Sequence, residues 1–120
     1  MTRPSHKELS GKIRAATTAV AEKKVGYTDP FTIALDAMEL NYDFKQDFCL
    51  ILNDLLSVVT SNDYKGTSPP QKSYEKVIRG LDLFAFVVRG TILDEVVYFK
   101  FSMKKDYCYI VSLHKDRPEE

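Results

Sequence analysis

The sequence predicts an α+β fold, with N-terminal helices packed on one face of a C-terminal antiparallel β-sheet. Three observations predict it. Between about residues 9 and 57, apolar residues recur at three- and four-residue intervals, the period of helices that bury one stripe. From 81 to 114 the chain runs instead through three stretches rich in β-branched and aromatic residues: Leu83-Phe84-Ala85-Phe86-Val87-Val88, Val96-Val97-Tyr98-Phe99-Lys100-Phe101 and Tyr107-Cys108-Tyr109-Ile110-Val111-Ser112-Leu113-His114. A polar, proline-bearing loop at about 61–73 separates the two regions. Helices followed by strands imply two segregated layers rather than alternating βα units. At 120 residues, the chain is expected to form a single domain, 1–120, with one core.

In chain order, Leu9, Ile13, Ala16 and Val20 form the stripe of a first helix over about 10–25, with Gly26 placed to end it. Thr28-Asp29-Pro30 is a helix start, because a capping side chain precedes a proline at the first helical position. Phe31, Leu35 and Met38 share one face of the second helix, which stops near Asn41. Asp43 caps a third, with Phe44, Phe48, Ile51, Leu52 and Leu55 as a broad apolar face and Cys49 as a small hydrophobe beside it. Pro69-Pro70 excludes helix interior and central strand from the loop that follows. Residues 74–79 read as a short strand or turn. The turns Gly90-Thr91-Ile92-Leu93-Asp94-Glu95 and Lys104-Lys105-Asp106 join the three strands into a meander, and a tail begins at Arg117. Alternation points Val97, Phe99, Phe101 and Met103 at the helices and Tyr98, Lys100 and Ser102 away from them. The same counting gives His114 the parity of Cys108, Ile110 and Ser112.

Composition narrows the function classes. No apolar run approaches the ~20 residues of a membrane span, and Met1 to Glu8 has no secretory h-region. Cys49 and Cys108 stand in no metal-ligand spacing, so the expectation is a cytoplasmic protein with two free thiols. Net charge is zero. It is nevertheless polarised: residues 31–63 hold Asp36, Glu39, Asp43, Asp47, Asp54 and Asp63 against the single base Lys45, whereas 64–118 is net basic. That polarity is compatible with an anionic ligand on the C-terminal half.

No phosphate loop, dinucleotide glycine signature, zinc spacing or nucleophile elbow is present. What remains is Tyr64-Lys65 in the loop, Tyr98 and Lys100 on one strand, and His114-Lys115 at the end of the next. Such an inventory suits cleavage of an RNA phosphodiester without a metal. One group deprotonates the ribose 2′-hydroxyl, another protonates the leaving 5′-oxygen, and cations stabilise the charge that builds on phosphorus. Histidine is the natural proton carrier. Each residue also has a plainer reading: a strand-end histidine is more often structural, Tyr98 covers apolar surface, and Lys100 guards a sheet edge.

At this point the chain resembles a family. Ala34-Leu35-Asp36-Ala37-Met38-Glu39-Leu40-Asn41-Tyr42-Asp43-Phe44, running into the helix with Cys49, looks like the helical pair of MqsR-type toxins in the RelE-like superfamily of toxin–antitoxin ribonucleases. Asn62-Asp63-Tyr64-Lys65-Gly66 stands where that family carries an aspartate-aromatic-Tyr-Lys element. Val97-Tyr98-Phe99-Lys100 matches its Val-Tyr-Leu-Lys strand, and Ile110-Val111-Ser112-Leu113-His114-Lys115 its final Ile-Val-Ser-Phe with a following basic residue. The resemblance covers about residues 9 to 116. It implies a RelE-like fold, metal-independent cleavage of mRNA with no cofactor, and neutralisation by a cognate antitoxin protein. It also implies catalytic roles for Lys65, Tyr98 and His114, beside phosphate-binding candidates Lys100, Lys115, Arg89 and Tyr64. There are departures. The family's Trp-Gln-Asp-Val-Tyr strand places its glutamine on Ala85 and its tyrosine on Val88, residues 66–80 contain an insertion, and the pI is near neutral. A non-catalytic binding module with the same sheet is the alternative.

Overall fold

The capping signals of the sequence set the helices. In the computed structural model, which describes residues 4–67 and 69–117, Ser5 accepts the Glu8 amide at the start of α1 (His6–Ala21). Asp29 accepts the Thr32 amide ahead of α2 (Pro30–Glu39), and Asp43 accepts the Gln46 amide ahead of α3 (Phe44–Val58). Each carboxylate or hydroxyl satisfies a backbone donor that the first turn leaves without a partner. The N-terminal Met1 to Arg3, Ser68 of the loop, and the tail from Pro118 onward lie outside the described residues.

α1 starts and stops earlier than the periodicity suggests. Lys23, not Gly26, takes the left-handed conformation that closes the helix (φ 60°), and the Lys24 amide bonds back to the Ala19 carbonyl. This frees the next residues to form β1 (Val25–Tyr27), a parallel edge strand that the sequence did not announce. Gly26 has its use there. A Cβ on it would lie 2.5 Å from the ring of Tyr109, its partner across the pair.

The meander forms as expected: β2 (Phe84–Arg89), β3 (Val96–Lys104) and β4 (Tyr107–Lys115) pair antiparallel, and the sheet order is β1-β4-β3-β2. The sheet is therefore mixed, with its antiparallel body edged by one short parallel strand. Of the two readings for residues 74–79, the turn is the one found: a short 3₁₀ turn, Lys76–Ile78, with no strand.

One core joins the layers. Phe84, Phe86, Phe99 and Phe101 stack along the inner face of the sheet, with ring centroids 5.7–6.2 Å apart. Leu9, Ala16 and Val20 of α1 and Phe48, Ile51, Leu52 and Leu55 of α3 close over them. α2 behaves differently. Ile33, Ala37 and Leu40 are buried, while Phe31, Leu35 and Met38 do share a face, but it is the face turned to solvent. No helix among the described residues is long and apolar enough to cross a membrane.

The turn between β2 and β3 is tied to α3 by Asp54. Its carboxylate accepts the Thr91 hydroxyl and the Thr91 and Ile92 amides, the latter two at 2.9 and 3.1 Å. Burial works against the charge, but these donors hold the carboxyl below its ordinary value of 3.8. A depressed folded pKa contributes stability that is fully present above the unfolded value and is lost as pH falls through the folded one. Asp54→Ala should therefore cost about 1–2 kcal/mol at pH 7. In urea titrations, the gap to wild type should close as the pH is taken below 3.8.

Candidate functional site

One irregularity decides which residues at the end of β4 reach the outer face of the sheet. From Val97 to Lys100, β3 pairs with Lys115 back to Ser112, but Phe101 then pairs with Ile110, so Val111 is an extra residue. The bulge makes Val111 and Ser112 consecutive residues with no place on the inner face, and it lets Ile110 and Leu113, three apart, both be fully buried. Strict alternation would have grouped His114 with the core residues Cys108 and Ile110. The bulge instead places His114 on the outer face, directly across from Tyr98. The two rings stack, with centroids 5.0 Å apart and planes inclined by 15°.

This pair is half-enclosed and its protons are constrained. Burial pushes the Tyr98 phenol above its usual pKa, so it stays a hydrogen-bond donor. His114 Nδ1 lies 2.8 Å from the Lys115 carbonyl and 3.2 Å from Nη1 of Arg117. These neighbours select opposite tautomers. A proton on Nδ1 donates to the carbonyl and leaves Nε2 as an acceptor, whereas an Nδ1 that accepts from Arg117 makes Nε2 a donor. Arg117, assigned by the sequence to a tail, is anchored by Glu39 at 3.2 Å and Asp36 at 4.0 Å.

One row along the sheet, Ala85, Lys100 and Ser112 lie side by side across β2, β3 and β4. Lys65 completes that row. Tyr64 makes an isolated antiparallel bridge to Phe86, and the Lys65 amide donates to the Ala85 carbonyl at 2.8 Å. Alternation then turns Lys65 outward. The two lysines flank Ala85 at two strand spacings, about 10 Å between backbones. Neither makes an ion pair among the described residues. Ala85 is 3% exposed and offers no polar group between them.

Of the remaining candidates, three are taken elsewhere. Tyr64 turns into the core, packs edge-on against Phe86 and donates its hydroxyl to the Thr67 carbonyl at 2.5 Å. Lys115 pairs with the buried Val97, on the inner parity, and binds Glu95 at 3.5 Å. Arg89 folds onto the neighbouring turn, where Asp94 accepts from it at 3.0 Å. Ser102 keeps its expected outward direction but is buried beneath the chain, donating to the Asp82 carbonyl at 2.8 Å. Cys108 is a core residue whose thiol burial pushes up to about 12, and it is far from nucleophilic there.

The sequence missed the wall of this face. The segment Gln71 to Glu75 rises beside Lys100, Val111 and Leu83 and encloses a cleft of about 290 Å³. A larger cleft of about 540 Å³ lies between the start of α3 and the β2–β3 turn, but Asp43 and Asp47 line it and would repel a phosphate. Among the described residues no three His, Cys, Asp or Glu side chains gather as metal ligands.

No protein-family model and no curated protein matches the chain. The geometry of the face is a stacked Tyr98–His114 pair one row from two outward lysines.

The stacking has a direct signature. In proton NMR, the His114 ring protons should be shifted by the Tyr98 ring current. That shift should vanish in Tyr98→Ala and survive in Tyr98→Phe.

Proposed function

We propose that the protein is a metal-independent endoribonuclease that cleaves mRNA by attack of the 2′-hydroxyl on the adjacent phosphate. We further propose that it acts as the toxin of a type II toxin–antitoxin pair of the MqsR-like kind and is neutralised by a cognate antitoxin protein. The observation that carries the ribonuclease reading is the Tyr98–His114 stack beside Lys65 and Lys100 on one face of the sheet. The resemblance in motif order supplies the toxin context.

In this reading, Lys65 and Lys100 hold the non-bridging oxygens from either side of Ala85. Their charge is set against the negative charge that grows as phosphorus becomes five-coordinate. His114, in the tautomer set by the Lys115 carbonyl, takes the 2′-hydroxyl proton on Nε2. The 2′-oxygen bonds to phosphorus, the bond to the 5′-oxygen breaks, and that oxygen receives a proton from Lys65. The products are a 2′,3′-cyclic phosphate and a free 5′-hydroxyl. Tyr98 keeps the imidazole plane in place and donates its phenol hydrogen to the phosphate.

The alternative is a binding module that uses the same basic face to hold RNA or a protein without cutting. Ala85 favours it, because no amide or hydroxyl stands between the lysines.

Purified protein incubated with mRNA in EDTA separates the two readings. The enzyme gives fragments ending in cyclic phosphate, and Lys65→Ala or His114→Ala should each lower the rate by about 10²-fold or more. Lys115→Ala should cut at the wild-type rate. Intact RNA after prolonged incubation with wild-type protein would leave only the binding module.

A further inference from the structure

The cleft beside Lys100 is built from a part of the chain that the proposed chemistry does not use. The segment after Pro69-Pro70 is hydrogen-bonded to residues 81–83, which lead into β2. The Leu83 amide donates to the Gln71 carbonyl at 2.8 Å, and the Ser73 amide to the Leu81 carbonyl at 2.9 Å. The Gly80 amide returns to the Ser73 carbonyl at 2.9 Å, and Lys72 forms an ion pair with Asp82 at 2.5 Å. The Ser73 hydroxyl is itself used, accepting the Glu75 amide at 3.0 Å.

On this wall stands Tyr74, 87% exposed. It stacks on no other ring among the described residues, so neither core packing nor a local aromatic contact accounts for it. The cleft beside it is lined by the apolar Leu83 and Val111 and, among polar residues, by Gln71, Ser73, Glu75 and Lys100. Its volume of about 290 Å³ is at the small end of ligand clefts, which run from about 300 to 1,000 Å³. That leaves room for one flat ring system.

We propose that this cleft is a nucleobase subsite for single-stranded RNA, in which Tyr74 stacks on one base and Gln71 hydrogen-bonds to its edge. This rests on the ribonuclease reading of the neighbouring face and gives it a source of sequence preference. Lys100 belongs to both places: it lines the cleft and stands in the row that holds the phosphate, so a base in the cleft belongs to a nucleotide adjoining the phosphate that reacts. An aromatic ring held on such a wall suits stacking because every base has a π-face, while the amide, with both a donor and an acceptor, discriminates between base edges.

The test uses 2′-O-methyl oligonucleotides of the four single bases, which bind but lack the attacking hydroxyl, with affinity read by fluorescence anisotropy. Wild-type protein should rank the four bases. Tyr74→Ala should weaken the preferred one by about 10-fold, while Tyr74→Phe should bind like wild type. Gln71→Ala should narrow the spread among the four. Tyr74→Ala binding all four oligomers as wild type does would overturn the subsite, even if natural RNA is still cut. Conversely, Tyr74-dependent binding together with uncut natural RNA would retain the subsite and remove only the cleavage reading. If wild-type protein binds none of the four, the subsite is refuted as well.

Discussion

The place of the imidazole on the outer face depends on the count of residues in β4. The inner face requires both Ile110 and Leu113 in a phenylalanine-rich core, and two residues three apart cannot share a face of a regular strand. The chain resolves this with one unpaired residue at Val111. Burying Leu113 gains roughly 2 kcal/mol of apolar transfer, and the register shift at Val111 is what lets the chain bury it beside Ile110. His114 faces outward as a by-product of where Leu113 must go. Core packing therefore sets the position of the imidazole before any chemistry is considered.

The architecture was largely readable from local signals, for reasons visible in particular residues. Asp29-Pro30 and Asp43 carry their own start instructions, and the phenylalanines of β2 and β3 alternate without interruption. β1 was hidden because three residues are too few for a pattern and its partner lies more than eighty residues away. α2 misleads in another way: Phe31, Leu35 and Met38 make a good stripe by spacing, but Ile33, Ala37 and Leu40 make a second one, and spacing alone does not say which is covered.

The site was readable in part. Lys65, Tyr98, Lys100 and His114 all arrive on the outer face, although the parity expected for His114 was that of the core. Tyr64 and Lys115, adjacent in sequence to two of these residues, point the other way for the same alternation. Arg117 and Gln71 were out of reach, one in an apparent tail and the other in a proline-bearing loop. What brings them in is tertiary: the carboxylates of α2 in one case and the backbone pairing to 81–83 in the other.

The pairing of β1 with β4 also has a kinetic side. Residue 25 finds its strand partner at residue 108, and α1 and α3 find their apolar cover in strands that follow them in the chain. Contacts so distant in sequence close only after the entropy of a long loop has been spent. During synthesis, the helices emerge first, before the sheet that covers their apolar stripes. The outer face, with its lysines and imidazole, exists only once β4 has docked. A nascent chain is thus incapable of the proposed reaction until its last strand is in place, however early its helices form.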